Sequence, residues 1–350
     1  MRPKELEKAI AFAIENKFPV LVEGSPGVGK SAIIEQCCAR AGADLVITHP
    51  VVSDPTDYKG LPFPAKKKLD NGEEIDVAKF LPYGELLKCI NAKRPMVYFL
   101  DDLGQSPASV QAAVMQLVLA RRINGHKVSD HVVFMAATNG RGDRAAVQGI
   151  LEPVKSRFII LSLTPNVDDW IEWASGPGDM PPMLIAFIEW RKQEGANMLF
   201  NFKPTSDIIN SPSPRTVATV GSIVNSGCPQ SIMHDMIKGA AGEAFAVEYM
   251  GFASVFESLP SIRDIEANPL KVNIPEGSSL RYAITAALAS GTTEKNFKYV
   301  YEYIRRMPKE LLVLYMRMAT RRDERLKETD VFDSFLAEYA DEIVGVYQIG

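Results

Sequence analysis

The segment Gly24–Ser31, GSPGVGKS, constrains this chain more than any other feature. It follows the short apolar run Val20–Glu23 directly, and Ala32, Ile33, Ile34, Cys37 and Cys38 continue from it at helical spacing. A strand that breaks into a glycine-rich loop and re-forms at once as a helix requires an α/β layout, because the loop works only between those two elements. In such a loop Gly24, Gly27 and Gly29 let backbone N–H groups converge on phosphate oxygens, with Ser25, Pro26 and Val28 completing the turn. The helix start adds partial positive charge, Lys30 can reach the terminal phosphates, and the Ser31 hydroxyl suits Mg²⁺.

Further apolar runs bounded by turn signals lie at Pro19–Glu23, Asp44–Val52, Met96–Asp101, His131–Asn139 and Phe158–Leu163, with helical patterns between them. They predict five buried parallel strands with helices on both faces. Ser106–Ala120 shows an interposed helix, with Ser106 as N-cap, Pro107 in the first turn, and Val110, Val114, Leu117 and Val118 on one face. After Leu163 the strand signal fades, and helices broken by joints at Ser175–Pro182, Asn210–Arg215 and Asn268–Ser278 take over. The expected organisation is therefore an α/β nucleotide-binding domain over 1–163, a helical lid over 164–267 and a C-terminal helical extension over 268–350. In the last segment Tyr299, Tyr303, Leu311, Leu314, Tyr315 and Met318 are expected on apolar faces.

The strand Met96–Leu100 ends in Asp101-Asp102, where a carboxylate can emerge opposite the phosphate loop. Asp101 is placed to hold Mg²⁺ through water and Asp102 to polarise an attacking water. An acidic pair after a strand also commonly starts a helix or turn, and it is the upstream loop that favours the chemical reading. The strand Val132–Asn139 ends in Thr138-Asn139; the Asn139 amide could position the same water if the two strands are neighbours, or could merely open a turn before Gly140.

The order phosphate loop, acidic strand end, Thr-Asn strand end and then Leu151–Phe158, LEPVKSRF, resembles the AAA+ ATPase core. The resemblance implies Mg-dependent ATP hydrolysis in a ring, a hexamer, with Arg157 as an arginine finger reaching the ATP of a neighbouring subunit. Ser213-Pro214-Arg215 resembles the second sensor, with Arg215 contacting the nucleotide from the start of a lid helix. Two hairpins are expected: about 64–80, with Asn71-Gly72 at its turn and Lys66–Lys68 facing Glu73, Glu74 and Asp76, and 121–128, around Asn124-Gly125. Hairpins in these two positions, and Ser53–Pro62 ahead of the first, resemble the helix-2-insert clade and its MoxR-type ATPases. That likeness implies a protein client remodelled or activated in a chaperone-like manner, beside a von Willebrand factor A domain partner. The likeness covers residues 19–220 and departs at Asp102, where the superfamily usually carries Glu; the shorter side chain leaves slow turnover open.

Composition limits the partners. A formal charge of −4 and a pI near 5.7 give no overall attraction to a polyanion, so nucleic-acid binding would rest on Lys66–Lys68 and Arg121-Arg122 alone. A nucleic-acid motor or loader of the same clade, and a nucleotide-dependent switch that hardly turns over, remain the competing readings. Cys37, Cys38, Cys89 and Cys228 show no CxxC spacing, and His49, His126, His131 and His234 no ligand spacing. The mixed run Arg321–Arg325 reads as a solvated helix face, and Trp170, Trp173 and Trp190 as core or rim. The N-terminus reads as a helix with Leu6, Ala9, Ile10, Ala13 and Ile14 inward rather than a signal peptide, and no apolar run is long enough to cross a bilayer. A cytoplasmic protein is expected.

Overall fold

The computed structural model describes residues 1–140, 149–202, 205, 207–254 and 259–339; the end of the C-terminal segment, 340–350, lies outside the described residues. The chain divides into two compact units, Met1–Asn166 and Val167–Gly350.

The first unit carries the strands. β1 (Val20–Glu23), β2 (Asp44–Thr48), β5 (Met96–Leu100), β8 (Val132–Thr138) and β9 (Ile159–Ser162) form one parallel sheet in the order β2-β5-β8-β1-β9. β3 (Leu61–Lys68) with β4 (Glu74–Leu81), and β6 (Arg122–Ile123) with β7 (His126–Lys127), make two separate hairpins. The expected α/β phosphate-loop core with a five-stranded parallel sheet is therefore present, and the chain beyond it is helical. β8 is buried along its whole length and β5 likewise, as strands covered on both faces must be. β9 is an edge strand, and there Ile159 and Ile160 are about half exposed.

Around the sheet lie α1 (Pro3–Asn16), α2 (Lys30–Arg40), α3 (Pro55–Lys59), α4 (Gly84–Asn91), α5 (Ala108–Ala120) and α6 (Glu152–Lys155). α1 buries Leu6, Ile10, Ala13 and Ile14. α5 buries Val110, Val114, Leu117 and Val118 but starts two residues later than Ser106. The Ser106 hydroxyl does not cap it; it donates instead to the Leu103 carbonyl at 2.7 Å, closing the 3₁₀ turn Leu103–Gln105, and Pro107 occupies the cap position. The Tyr98 and Phe134 rings meet edge-on at 5.8 Å within the core.

Both hairpins form at the Asn-Gly signals, with different turns. In β6–β7 Asn124 and Gly125 both have positive φ, 46° and 87°, the mirror-image turn that Asn-Gly favours. In β3–β4 the connection is longer, 69–73, and only Gly72 is left-handed, φ 88°. The strands also extend beyond the expected 64–80 to Leu61 and Leu81. Lys66 lies opposite Asp76 and Lys68 opposite Glu74, so the charge pairing across the strands is realised.

The second unit contains α7 (Val167–Ala174), α8 (Pro182–Gln193), α9 (Pro214–Asn225), α10 (Gln230–Ala241), α11 (Glu243–Ser254), α12 (Ile262–Ala267), α13 (Ser278–Gly291), α14 (Phe297–Ile304), α15 (Lys309–Arg322) and α16 (Asp330–Glu338). Side chains from Trp170 to Tyr339 share one hydrophobic core. Tyr303, Leu311, Leu314, Tyr315 and Met318 are in it; Tyr299 is not, being 44% exposed on the outer side of α14. The basic run is also more than a solvated face: Arg321 donates to the Glu172 carbonyl and Arg322 to the Thr292 carbonyl, closing helix ends inside this unit.

Candidate nucleotide site

The candidate site forms where β1, β5 and β8 end together. Register aligns Glu23 with Thr138 and Leu100 with Ala136, so the phosphate loop, the Asp101-Asp102 pair and Asn139 leave the sheet side by side. This is the carboxyl edge of a parallel sheet, where ligands of open α/β folds bind. The Gly24 N–H donates to the Thr138 carbonyl at 3.2 Å, and the Asp101 N–H to the Thr48 carbonyl at 2.9 Å, pinning both strand ends.

The loop needs its glycines. Gly27 and Gly29 have φ of 76° and 100°, values that side chains disfavour. A Cβ on Gly24 would meet the Leu163 carbonyl oxygen at 3.0 Å. Gly29 ends the loop as the N-cap of α2, and Lys30 and Ser31 form that helix's first turn.

Lys30 is buried, at 7% exposure, a costly place for an ammonium unless its protons are all used. Its Nζ donates to the Gly24 carbonyl at 2.7 Å, the Ser25 carbonyl at 3.1 Å and Asn139 Oδ1 at 2.7 Å. Asn139 turns its other end outward from Lys30: its Nδ2 donates to Asp102 Oδ1 at 3.3 Å. Ser31 Oγ donates to Asp101 Oδ2 at 2.8 Å, while Asp101 Oδ1 accepts from the Asp102 N–H at 3.1 Å. Five residues from three stretches far apart in sequence, Lys30 and Ser31, Asp101 and Asp102, and Asn139, are thus brought into one network.

Ser31 and Asp101 supply a hydroxyl and a carboxylate oxygen, the hard donors that Mg²⁺ takes, and the backbone N–H of Asp102 fixes the carboxylate's orientation. These two residues fit the role of metal holders. Asp102 itself has left-handed backbone, φ 56° and ψ 35°.

Arg157 follows α6 and is half-buried; it donates to the adjacent Ser156 hydroxyl, and its Nε is buried without a hydrogen-bond partner among the described residues. Arg215 belongs to the second unit, exposed in the first turn of α9, whose N-cap Ser213 accepts from the Thr216 N–H as expected of that Ser-Pro start. No cluster of three or more His, Cys, Asp or Glu side chains suited to a metal occurs among the described residues.

Sequence reasoning missed Gln111. It is buried on the apolar face of α5, where its amide donates to the Ser106 and Gly149 carbonyls at 3.1 and 2.9 Å and accepts the Leu151 N–H at 2.9 Å. It anchors the segment leading into α6 and Arg157. The available signal was a polar residue in register with Val114 and Val118.

No family profile and no curated protein matches the chain. Among solved structures it is similar to the Holliday junction branch migration motor RuvB of Thermotoga maritima, 16% identical over 87% of each chain with a TM-score of 0.35. Two point variants of that RuvB give 15% and 16% identity, covering 87% and 84% of this chain and 86% and 85% of theirs, with TM-scores of 0.37 and 0.39. Likenesses this distant decide nothing about the site. Among the described residues no helix is long and apolar enough to cross a membrane.

Proposed function

We propose that this chain is an AAA+ ATPase of MoxR type that assembles as a homo-oligomeric ring, a hexamer, and couples ATP hydrolysis to remodelling a protein client in the cytoplasm. The observation that carries the reading is the network joining Lys30, Asn139 and Asp102 beside the Ser31–Asp101 pair. In this reading Gly24–Ser31 cradles the phosphates and Lys30 exchanges Asn139 for a phosphate oxygen. Bound Mg²⁺, held by Ser31 and Asp101, would neutralise charge on the phosphate oxygens. Asp102 and Asn139 orient the attacking water and the Asp102 carboxylate takes its proton, Arg157 stabilises the transferred phosphoryl group from the next subunit, and Arg215 closes over the nucleotide. The von Willebrand factor A domain partner belongs to this proposal through the MoxR resemblance alone.

A switch with slow turnover is favoured by one observation, the short Asp102 side chain on left-handed backbone. A nucleic-acid motor loses part of the local support it had in Lys66–Lys68 and Arg121-Arg122. Arg121 is committed to the Ser129 and Val132 carbonyls and lies over the Phe134 ring, and Lys66 and Lys68 face acidic residues across the hairpin.

The test is ATP hydrolysis against protein concentration for wild type and Arg157→Ala, with light scattering with and without ATP. Specific activity should rise with assembly, and the variant should lose it while still binding nucleotide. Activity that is independent of concentration and survives the substitution would replace the ring by a monomeric phosphate-loop enzyme.

A further inference from the structure

The β3–β4 hairpin presents two unlike faces. In an antiparallel pair, opposed residues share a face and alternate along each strand. The register Leu61↔Leu81, Phe63↔Lys79 and Lys67↔Ile75 therefore gathers Leu61, Phe63, Ile75 and Leu81 on one face, exposed at 47%, 58%, 37% and 42%. That face carries two charges, Lys67 and Lys79, each opposite an apolar residue and without an ion pair among the described residues. The other face carries Lys66 and Lys68 opposite Asp76 and Glu74, a self-neutralised pattern.

A two-stranded hairpin is marginal alone and needs support. Its base is tied to the second hairpin: Asn124 Nδ2 donates to the Lys59 carbonyl at 2.8 Å, and His126 Nε2 lies 3.0 Å from the Phe80 carbonyl oxygen. At Gly60, φ 85°, a Cβ would fall 2.7 Å from the Leu81 carbonyl oxygen, so backbone closes tightly there. Pro62 and Pro64 lack N–H groups, and a strand tolerates proline only where the N–H would point away from its partner. The free edge of β3 is thereby a poor template for another strand.

We infer that the Leu61, Phe63, Ile75 and Leu81 face, flanked by Lys67 and Lys79, docks an acidic polypeptide segment with apolar side chains between its carboxylates. Apolar contact supplies the burial and two unopposed lysines select carboxylates; the same charges repel a second copy of this face. The inference deepens the reading of a protein client and rests on it, but binding is read without nucleotide, so failure of hydrolysis and failure of docking are separate results.

The probe is a labelled synthetic peptide alternating glutamate with leucine and phenylalanine, followed by fluorescence anisotropy on the full chain. A lysine-for-glutamate peptide, a single-stranded oligonucleotide and phosphatidylglycerol vesicles serve as comparisons. The acidic peptide should bind, weaken with salt, and lose about tenfold or more in affinity in Lys67→Glu/Lys79→Glu and in Phe63→Ser, whose melting and basal hydrolysis stay unchanged. Absence of binding, or equal binding by the variants, overturns the inference. So does equally variant-sensitive binding of the oligonucleotide or vesicles, or a wild-type dimer that Phe63→Ser dissociates.

Discussion

Lys30 Nζ and Asn139 Oδ1 are 2.7 Å apart, which makes the loop lysine and the end of β8 a single unit although 109 residues separate them. Asn139 holds the ammonium at one end of its amide and Asp102 at the other. Asn139→Ala should therefore leave nucleotide affinity within a few-fold while lowering turnover by about 10²-fold, the usual effect of removing one preorganised polar group from a reacting centre. Stopped-flow binding with steady-state hydrolysis separates the two. Equal loss in both would make Asn139 a binding residue only.

Asp102 sits at φ 56°, where Asp and Asn are tolerated far better than longer side chains. That backbone gives a physical reason for Asp rather than a longer carboxylate side chain at this position. Asp102→Asn should fold with unchanged melting and hydrolyse about 10²-fold more slowly, by loss of the carboxylate. Asp102→Glu should also lose activity. A large gain in Asp102→Glu would mean that wild type is a slow switch.

The sheet was legible because its signals are local. Val132–Ala137 is an unbroken apolar run, and GSPGVGKS states both the strand before it and the helix after it. The positions of Asp101 and Asn139 at the carboxyl edge of the sheet followed, since each lies at the end of a buried run. What stayed hidden depends on distant partners. Nothing adjacent to Ser106 shows that its hydroxyl turns back to Leu103, nothing near Arg321 and Arg322 names the carbonyls of Glu172 and Thr292, and Tyr299 fits the helical stripe by spacing yet faces outward. The Asn139–Lys30 bond joins the loop after β1 to the end of β8, strands that are neighbours only by crossover, a property of topology.

Gly104 lies against Thr138, immediately before Asn139. A Cβ there would approach Thr138 Oγ1 to 2.2 Å, with the Thr138 and Ile150 side chains at 3.4 Å beyond. Gly104→Ala should cost about 1–3 kcal/mol, as overpacking does, because buried, β-branched Thr138 has little rotamer freedom. Adding Thr138→Ala should recover most of the loss in a denaturant titration. Additive losses would show that the two sites do not touch.

Three of the four thiols should be inert near neutral pH. Burial pushes Cys37 up to about 11, with the Glu7 charge adding to it, and pushes Cys38 and Cys89 up to about 12. Native-state alkylation followed by mass spectrometry should label half-buried Cys228 first. Because the folded values lie above the ordinary thiol value of 9.0, the contribution to stability is full below about pH 9 and is lost as pH rises towards 11 and 12. Prompt modification of Cys37 at pH 8 in folded protein would contradict this.

Gln111 offers the sharpest test of how the core reaches Arg157. Its side chain satisfies the Leu151 N–H and the Gly149 carbonyl, so Gln111→Leu leaves both without that partner and should destabilise by about 1–3 kcal/mol. Gln111→Glu keeps an acceptor for Leu151 but sets a buried carboxylate oxygen against the Ser106 and Gly149 carbonyls, and should destabilise at least as much as Gln111→Leu. Since the segment from Leu151 leads into α6 and Arg157, both variants should lose the concentration-dependent part of hydrolysis more than nucleotide affinity. A Gln111→Leu protein that melts lower yet keeps full assembly-dependent activity would confine Gln111 to packing and separate it from the finger.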